Sequence, residues 1–134
     1  MTTTFCLFVY GTLRADGIAA ARLAGCERLG DGVIRGTLYD IEGRHPALLP
    51  YGSDPVHGEV WRCPADLLVS LDAYEGTEAG LFRRIATETE LADGRTVACW
   101  VYAAGPALAQ QLTPERRVAS GRWQPAPERA GPAD

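Results

Sequence analysis

Glu75 is the side chain whose position most invites chemistry. A helical pattern runs over residues 65–75, with Pro64 suited to its first turn and Gly76 placed to end it. Leu67, Leu68, Leu71 and Tyr74 form its apolar stripe. Glu75 follows Leu71 by four residues and Leu68 by seven, so helical spacing puts it on or beside that stripe. A carboxylate facing a core costs free energy unless it is paired or lines a cavity. Desolvation raises its pKa above the free value of about 4.3, and a raised carboxyl beside a cleft is suited to general acid/base work. The spacing leaves a second reading open, in which Glu75 at the last turn bends out to solvent. Asp72 falls nearer the edge of the stripe.

The second chemical feature is a loop. Residues 5–10 (Phe-Cys-Leu-Phe-Val-Tyr) are apolar or aromatic at every position, which predicts a strand covered on both faces. Gly11 breaks the run where the chain can turn tightly or let a ligand approach. Thr12 adds a hydroxyl. Asp16 is placed to cap a short Ala-rich helix over residues 17–24, closed by Gly25. Backbone N–H groups in such a strand-to-helix turn can converge on an anion. The same residues also suit a plain turn after a core strand.

Several elements must position these two features. Strands are expected over residues 26–41, broken at Gly30-Asp31-Gly32, with Gly36 marking a bulge or close packing. Residues 42–46 read as a loop and 47–49 as a short strand stopped by Pro50 and Gly52. Asp54-Pro55 opens another strand. On it Val56 and Val60 share one face, and His57, Glu59 and Trp61 the other. That second face suits either pocket chemistry or a solvated rim. Residues 81–91 and 96–102 form a hairpin across an Asp93-Gly94 turn. Residues 107–117 suit a short helix or irregular chain, and Trp123 brings a last aromatic to the body. Residues 1–123 are expected to form one domain and 124–134 a mobile tail.

Composition narrows the function. The chain has 134 residues, 46% of them hydrophobic, with a net charge of -4. It is long enough to bury a core without a metal or disulfide staple. No basic stripe marks a nucleic-acid partner, and no apolar run is long enough for a membrane span. Cys6, Cys26, Cys63 and Cys99 form no C-x-x-C pair and read as free thiols of a reducing compartment. Two histidines, His45 and His57, are too few and too poorly spaced for a zinc motif. With no targeting segment visible, a cytoplasmic location is expected. Phosphate-loop, dinucleotide-loop and nucleophile-elbow motifs are absent, which leaves carboxylate acid/base chemistry as the best enzymatic option.

An ordered set of segments now stands out. It comprises Val9-Tyr10-Gly11-Thr12-Leu13-Arg14, Gly36-Thr37-Leu38-Tyr39, Pro46-Ala47-Leu48 and Val56-His57-Gly58-Glu59-Val60-Trp61. Leu71-Asp72-Ala73-Tyr74-Glu75-Gly76, Leu81-Phe82-Arg83-Arg84, Val101-Tyr102 and Gly121-Arg122-Trp123 complete it. In this the chain resembles the gamma-glutamylcyclotransferase-like superfamily in its small bacterial form, from Phe5 to about Trp123. The resemblance implies an α+β fold, a compact mixed β-barrel with a few short helices and a pocket at the barrel mouth. It implies that Tyr10, Gly11, Thr12 and Leu13 bind the glutamyl end of the substrate and that Glu75 is the catalytic acid/base. Phe82, Arg83 and Tyr39 are possible pocket residues. The implied reaction releases 5-oxoproline and an amine or amino acid from a small gamma-glutamyl compound, with no metal or cofactor. Two alternatives on the same fold are a gamma-glutamyl acylase-type relative and a binding module without turnover. The chain departs from the pattern at Phe82, where many members have tyrosine, and at Arg122, where an acidic residue is common. Arg14, Arg83 and Arg84 are further candidates to meet a substrate carboxylate, or else ordinary surface arginines. The oligomeric state and the amine half of the substrate are not specified by the sequence.

Overall fold

The computed structural model describes residues 3–126. Five strands close into a barrel in the order β1-β3-β2-β4-β5. They are β1 (Thr4–Val9), β2 (Glu27–Ile41), β3 (His45–Pro64), β4 (Phe82–Leu91) and β5 (Thr96–Ala104). All neighbours are antiparallel except β1 and β5, which close the barrel in parallel through Leu7 opposite Trp100 and Phe8 opposite Val101. Closure leaves no unpaired sheet edge to protect. This is the α+β mixed barrel expected, with α1 (Leu67–Tyr74), α2 (Pro106–Ala109) and two short 3-10 turns outside it. Among the described residues no helix is long and apolar enough to cross a membrane.

The unbroken apolar run of β1 has the predicted cause. Phe8 and then Tyr10 join Ile34, Leu38, Val60 and Val101 in the barrel core, while Leu7 and Val9 pack outward against Leu13, Leu23 and Leu71. Val56 and Val60 are fully buried, and His57, Glu59 and Trp61 alternate with them on the other face, as the period-2 pattern requires.

Elsewhere the chain runs further than local signals suggest. Gly30 and Gly36 bend β2 rather than break it, and the pairing with β3 shifts register at both places. At the second shift, residues 50–53 loop out of the pairing, and the Tyr51 carbonyl accepts the Thr37 hydroxyl at 2.7 Å. So 47–49 and the strand expected after Asp54 are parts of one β3. The β2–β3 hairpin thereby reaches the barrel mouth and sets Ile41, His45 and Pro46 there.

The helix expected over 17–24 is only a 3-10 turn, Ala20–Leu23, and Asp16 does not cap it. The loop intercepts the backbone that would have begun it: the Ala19 N–H donates to the Thr12 carbonyl at 2.9 Å. The helix expected over 65–75 begins at Leu67, because Pro64 still pairs with Thr4 and the Ala65 N–H donates to Thr3. Only Leu71 of its stripe is fully buried, and Tyr74 is exposed rather than in the core. Residues 107–117 contain most of α2 and the 3-10 turn Pro114–Arg116. Trp123 is buried, and its indole N–H donates to Asp40 Oδ1 at 2.7 Å. Of the expected mobile tail, residues 127–134 lie outside the described residues. Ala126 is tied to the β2–β3 turn by its N–H to the Gly43 carbonyl.

One buried polar atom in the barrel wall lacks a partner. Thr89 is fully buried on β4, and its Oγ1 has no hydrogen bond among the described residues. An unsatisfied buried hydroxyl costs about 1–3 kcal/mol. Thr89→Val keeps the shape and removes that cost. Thermal unfolding should show a rise of a few degrees in Tm, at about 2–4 °C per kcal/mol for a domain near this size. A fall would mean that the hydroxyl is bonded in the folded protein.

Candidate active site

A cavity of about 540 Å³ opens at the mouth of the barrel. Tyr10, Gly11, Thr12, Leu13, Glu75 and Phe82 all line it. Arg83 and Tyr39 do not. Arg83 is exposed on β4, and Tyr39 sits in β2 with a bridge to Arg117.

Residues 11–14 form a turn in which the Arg14 N–H donates to the Gly11 carbonyl at 3.1 Å. The N–H groups of Gly11, Thr12 and Leu13 have no acceptor among the described residues. Successive backbone donors left free at a cavity wall are able to hold an anion where they converge on one point. The loop is held from behind. Arg14 donates through Nε to the Gly11 carbonyl and through Nη2 to the Trp123 carbonyl, at 3.2 and 2.9 Å. The Ala15 N–H donates to Glu59 Oε1 at 2.8 Å, and Trp61 Nε1 donates to the same oxygen. Arg28 pairs with the other oxygen of Glu59 at 3.2 Å. Gly11 permits close approach to the β2–β3 hairpin, since a Cβ there would stand 2.5 Å from the Pro46 ring.

Glu75 is the C-cap of α1, and Gly76 at φ 68° turns the chain away after it. Its carboxyl is mostly withdrawn from water and has no hydrogen-bond or ion-pair partner among the described residues. Burial pushes its pKa up to about 7, opposed only by the positive charge of Arg22. The Tyr10 and Tyr102 phenols are both held well above their usual range, mainly by burial, with the Glu75 charge adding at Tyr10 and the bonded Asp72 carboxylate at Tyr102. Of the two placements that helical spacing left open, the structure has Glu75 withdrawn from bulk water at the cavity wall.

What sequence reasoning missed is how this helix end is fixed. The Asp72 carboxylate accepts Arg84 Nε at 3.0 Å and Nη2 at 3.3 Å, and the Tyr102 hydroxyl at 2.6 Å. The Tyr102 carbonyl in turn accepts the Tyr10 hydroxyl at 2.5 Å. Arg84 also lies 4.4 Å above the Trp100 ring. So Arg84 is committed to Asp72, and Arg14 to the loop. Neither is free to meet a substrate carboxylate. The partners come from β4, β5 and the residue after β1, and no spacing in the sequence connects them.

His57 and Glu59 line a different cavity of about 950 Å³, which shares no residue with the first. Glu59 braces the loop there. Burial and the positive charges of Arg122 and Arg35 lower the His57 pKa. Arg122 belongs to this second cavity, so its departure from the expected pattern does not touch the first.

The family model for gamma-glutamyl cyclotransferase, AIG2-like proteins matches residues 7–125. No curated protein matches the chain. Among solved structures it is similar to a gamma-glutamyl cyclotransferase at 19% identity and a TM-score of 0.66, covering 76% of this chain and 67% of that one. An AIG2-like protein from Mus musculus aligns at 22% identity and a TM-score of 0.66, over 94% of this chain and 99% of its own. A uropathogenic E. coli-specific protein aligns at 26% identity and a TM-score of 0.67, over 90% and 93%. These likenesses show a shared fold.

The raised Glu75 pKa has a consequence for stability. An ordinary carboxyl titrates near 4.5, and this one near 7. Below about pH 4.5 both folded and unfolded chains carry the proton, and no cost arises. As pH rises toward 7 the unfolded chain ionises first, and folding loses about 3 kcal/mol that stays lost above pH 7. Glu75→Gln removes that loss. Denaturant unfolding should therefore show the stability gap between variant and parent widening by about 3 kcal/mol from pH 4 to pH 8. A gap independent of pH would contradict the desolvated carboxyl.

Proposed function

The chain belongs to the AIG2-like gamma-glutamyl cyclotransferase family, and from that premise we propose that it cyclises small gamma-glutamyl compounds to 5-oxoproline with release of an amine or amino acid. The observation that carries the reading is an unpaired, desolvated carboxyl, Glu75, lining one cavity with the free N–H groups of Gly11, Thr12 and Leu13.

The chemistry needs little more. The substrate's α-amino nitrogen attacks its own γ-carbonyl carbon, a new C–N bond closes the five-membered ring, and the old C–N bond to the amine breaks. The α-ammonium group must shed protons to attack, and the leaving nitrogen must gain one. Glu75 is suited to take a proton from the first nitrogen and return it to the second, because a group titrating near 7 exchanges protons in both directions near neutral pH. The loop N–H groups would hold the substrate carboxylate or the charge developing on the carbonyl oxygen. A cavity that keeps the glutamyl chain folded supplies part of the rate by proximity alone. Free thiols at Cys6, Cys26, Cys63 and Cys99 suit a reducing compartment, and we place the enzyme in the cytoplasm on that ground.

The test is 5-oxoproline release from a panel of gamma-glutamyl dipeptides and amides. The parent should form product, with kcat/KM falling on the acid side of about pH 7 as Glu75 gains its proton. Glu75→Gln should lose about 100-fold or more. Glutamate in place of 5-oxoproline would mean acylase chemistry, and ligand binding without any product would mean a binding module. Either result would overturn the proposal.

A further inference from the structure

We infer that the amine half of the substrate is an apolar or aromatic group without positive charge, held on a hydrophobic rim made by Ile18, Tyr74 and Leu81. The inference rests on the cavity being the gamma-glutamyl site. Five large hydrophobic side chains are exposed among the described residues, and three of them border this one cavity. Ile18 is 90% exposed, which is far beyond what a packing role explains. The three come from the loop after β1, the end of α1 and the segment before β4, so no local pattern groups them. Single exposed apolar residues need no explanation, but a cluster around a cleft marks a contact surface.

The rim is preset and continuous with the cavity. The Arg22 guanidinium lies 3.9 Å above the Tyr74 ring, and the Tyr74 hydroxyl is 3.3 Å from Thr12 Oγ1. Both contacts fix the ring beside the loop. Phe82 and Leu108 carry the apolar wall inward. The volume of about 540 Å³ falls in the range of whole small-molecule ligands and leaves room beyond a glutamyl group.

Charge narrows the class further. Glu75 is the only carboxylate lining the cavity among the described residues, and Arg44 also lines it. With Glu75 occupied by proton transfer, a cationic amine half would find no counter-charge and would face Arg44. An apolar group without positive charge meets neither problem.

Three probes separate these effects: gamma-glutamyl-phenethylamide, gamma-glutamyl-ethylamide and mono-gamma-glutamyl-1,5-diaminopentane. The phenethylamide should exceed the ethylamide in kcat/KM by about tenfold or more, as apolar contacts of this size discriminate. The diamine compound should be the poorest. In the Ile18→Ser/Leu81→Ser double variant, the phenethylamide-to-ethylamide ratio should fall to within about threefold of one. Equal constants in the parent, or an unchanged ratio in the variant, would overturn the inference. If none of the three turns over while a gamma-glutamyl dipeptide does, the inference fails and the cyclotransferase reading stands; if no dipeptide turns over either, that reading fails, and calorimetric affinities of the same probes for the parent decide the rim separately. The same order of affinities would uphold it, and equal or absent affinity would overturn it.

Discussion

The Asp72 carboxylate holds the site together. It ties α1 to β4 through Arg84 and to β5 through the Tyr102 hydroxyl. The Tyr102 backbone then accepts the Tyr10 hydroxyl, which links the same network to the start of the loop that lines the cavity. Desolvation alone would raise the Asp72 pKa, but the bonds from Arg84 and Tyr102 outweigh it and keep the carboxyl below its usual range. Glu75 sits three residues further along, is also desolvated, and has no such partner. One helix thus presents two carboxylates whose surroundings push their pKa values apart. That is the arrangement by which a site divides structural charge from proton transfer. Asp72 stays charged and fixes position, whereas Glu75 is free to gain and lose a proton.

The loop opposite is built on the same division. It is braced from outside the cavity, by Arg14 to the Trp123 carbonyl and by the Ala15 N–H to Glu59, while three backbone donors are left without protein acceptors among the described residues. Barrel closure makes this possible. The parallel seam between β1 and β5 brings Tyr10 beside Tyr102, and the long β2–β3 hairpin carries Pro46 up against Gly11. Barrel, brace and clamp together bring a helix end and a strand-to-loop turn, some 60 residues apart in the chain, to one cavity.

Much of this was legible in the sequence, for identifiable reasons. The apolar run of β1 had to be covered on both faces, and it is, by core on one side and by Leu13, Leu23 and Leu71 on the other. Helical spacing left two placements open for Glu75, and withdrawal from water at the cavity wall is the one found. Tyr74 was misjudged because spacing alone does not tell a core-facing residue from one that overhangs a cavity. The bulge or close packing expected at Gly36 is there, whereas the break expected at Gly30-Asp31-Gly32 was misjudged because glycine can bend a strand without ending its pairing. The helix expected at 17–24 failed because a short Ala-rich segment has little stability of its own, and the neighbouring loop claimed part of its backbone. The Asp72–Arg84–Tyr102 network was illegible because its members sit 12 and 30 residues from Asp72 and meet only through strand register.

The central claim is that Glu75 is a desolvated, unpaired carboxyl able to exchange protons near neutral pH. The measurement that addresses it most directly is a carbon-13 NMR titration of the Glu75 side-chain carboxyl in the parent protein. The expected midpoint is about 7. A midpoint at the ordinary glutamate value of about 4.3 would show a solvated carboxylate and contradict the account.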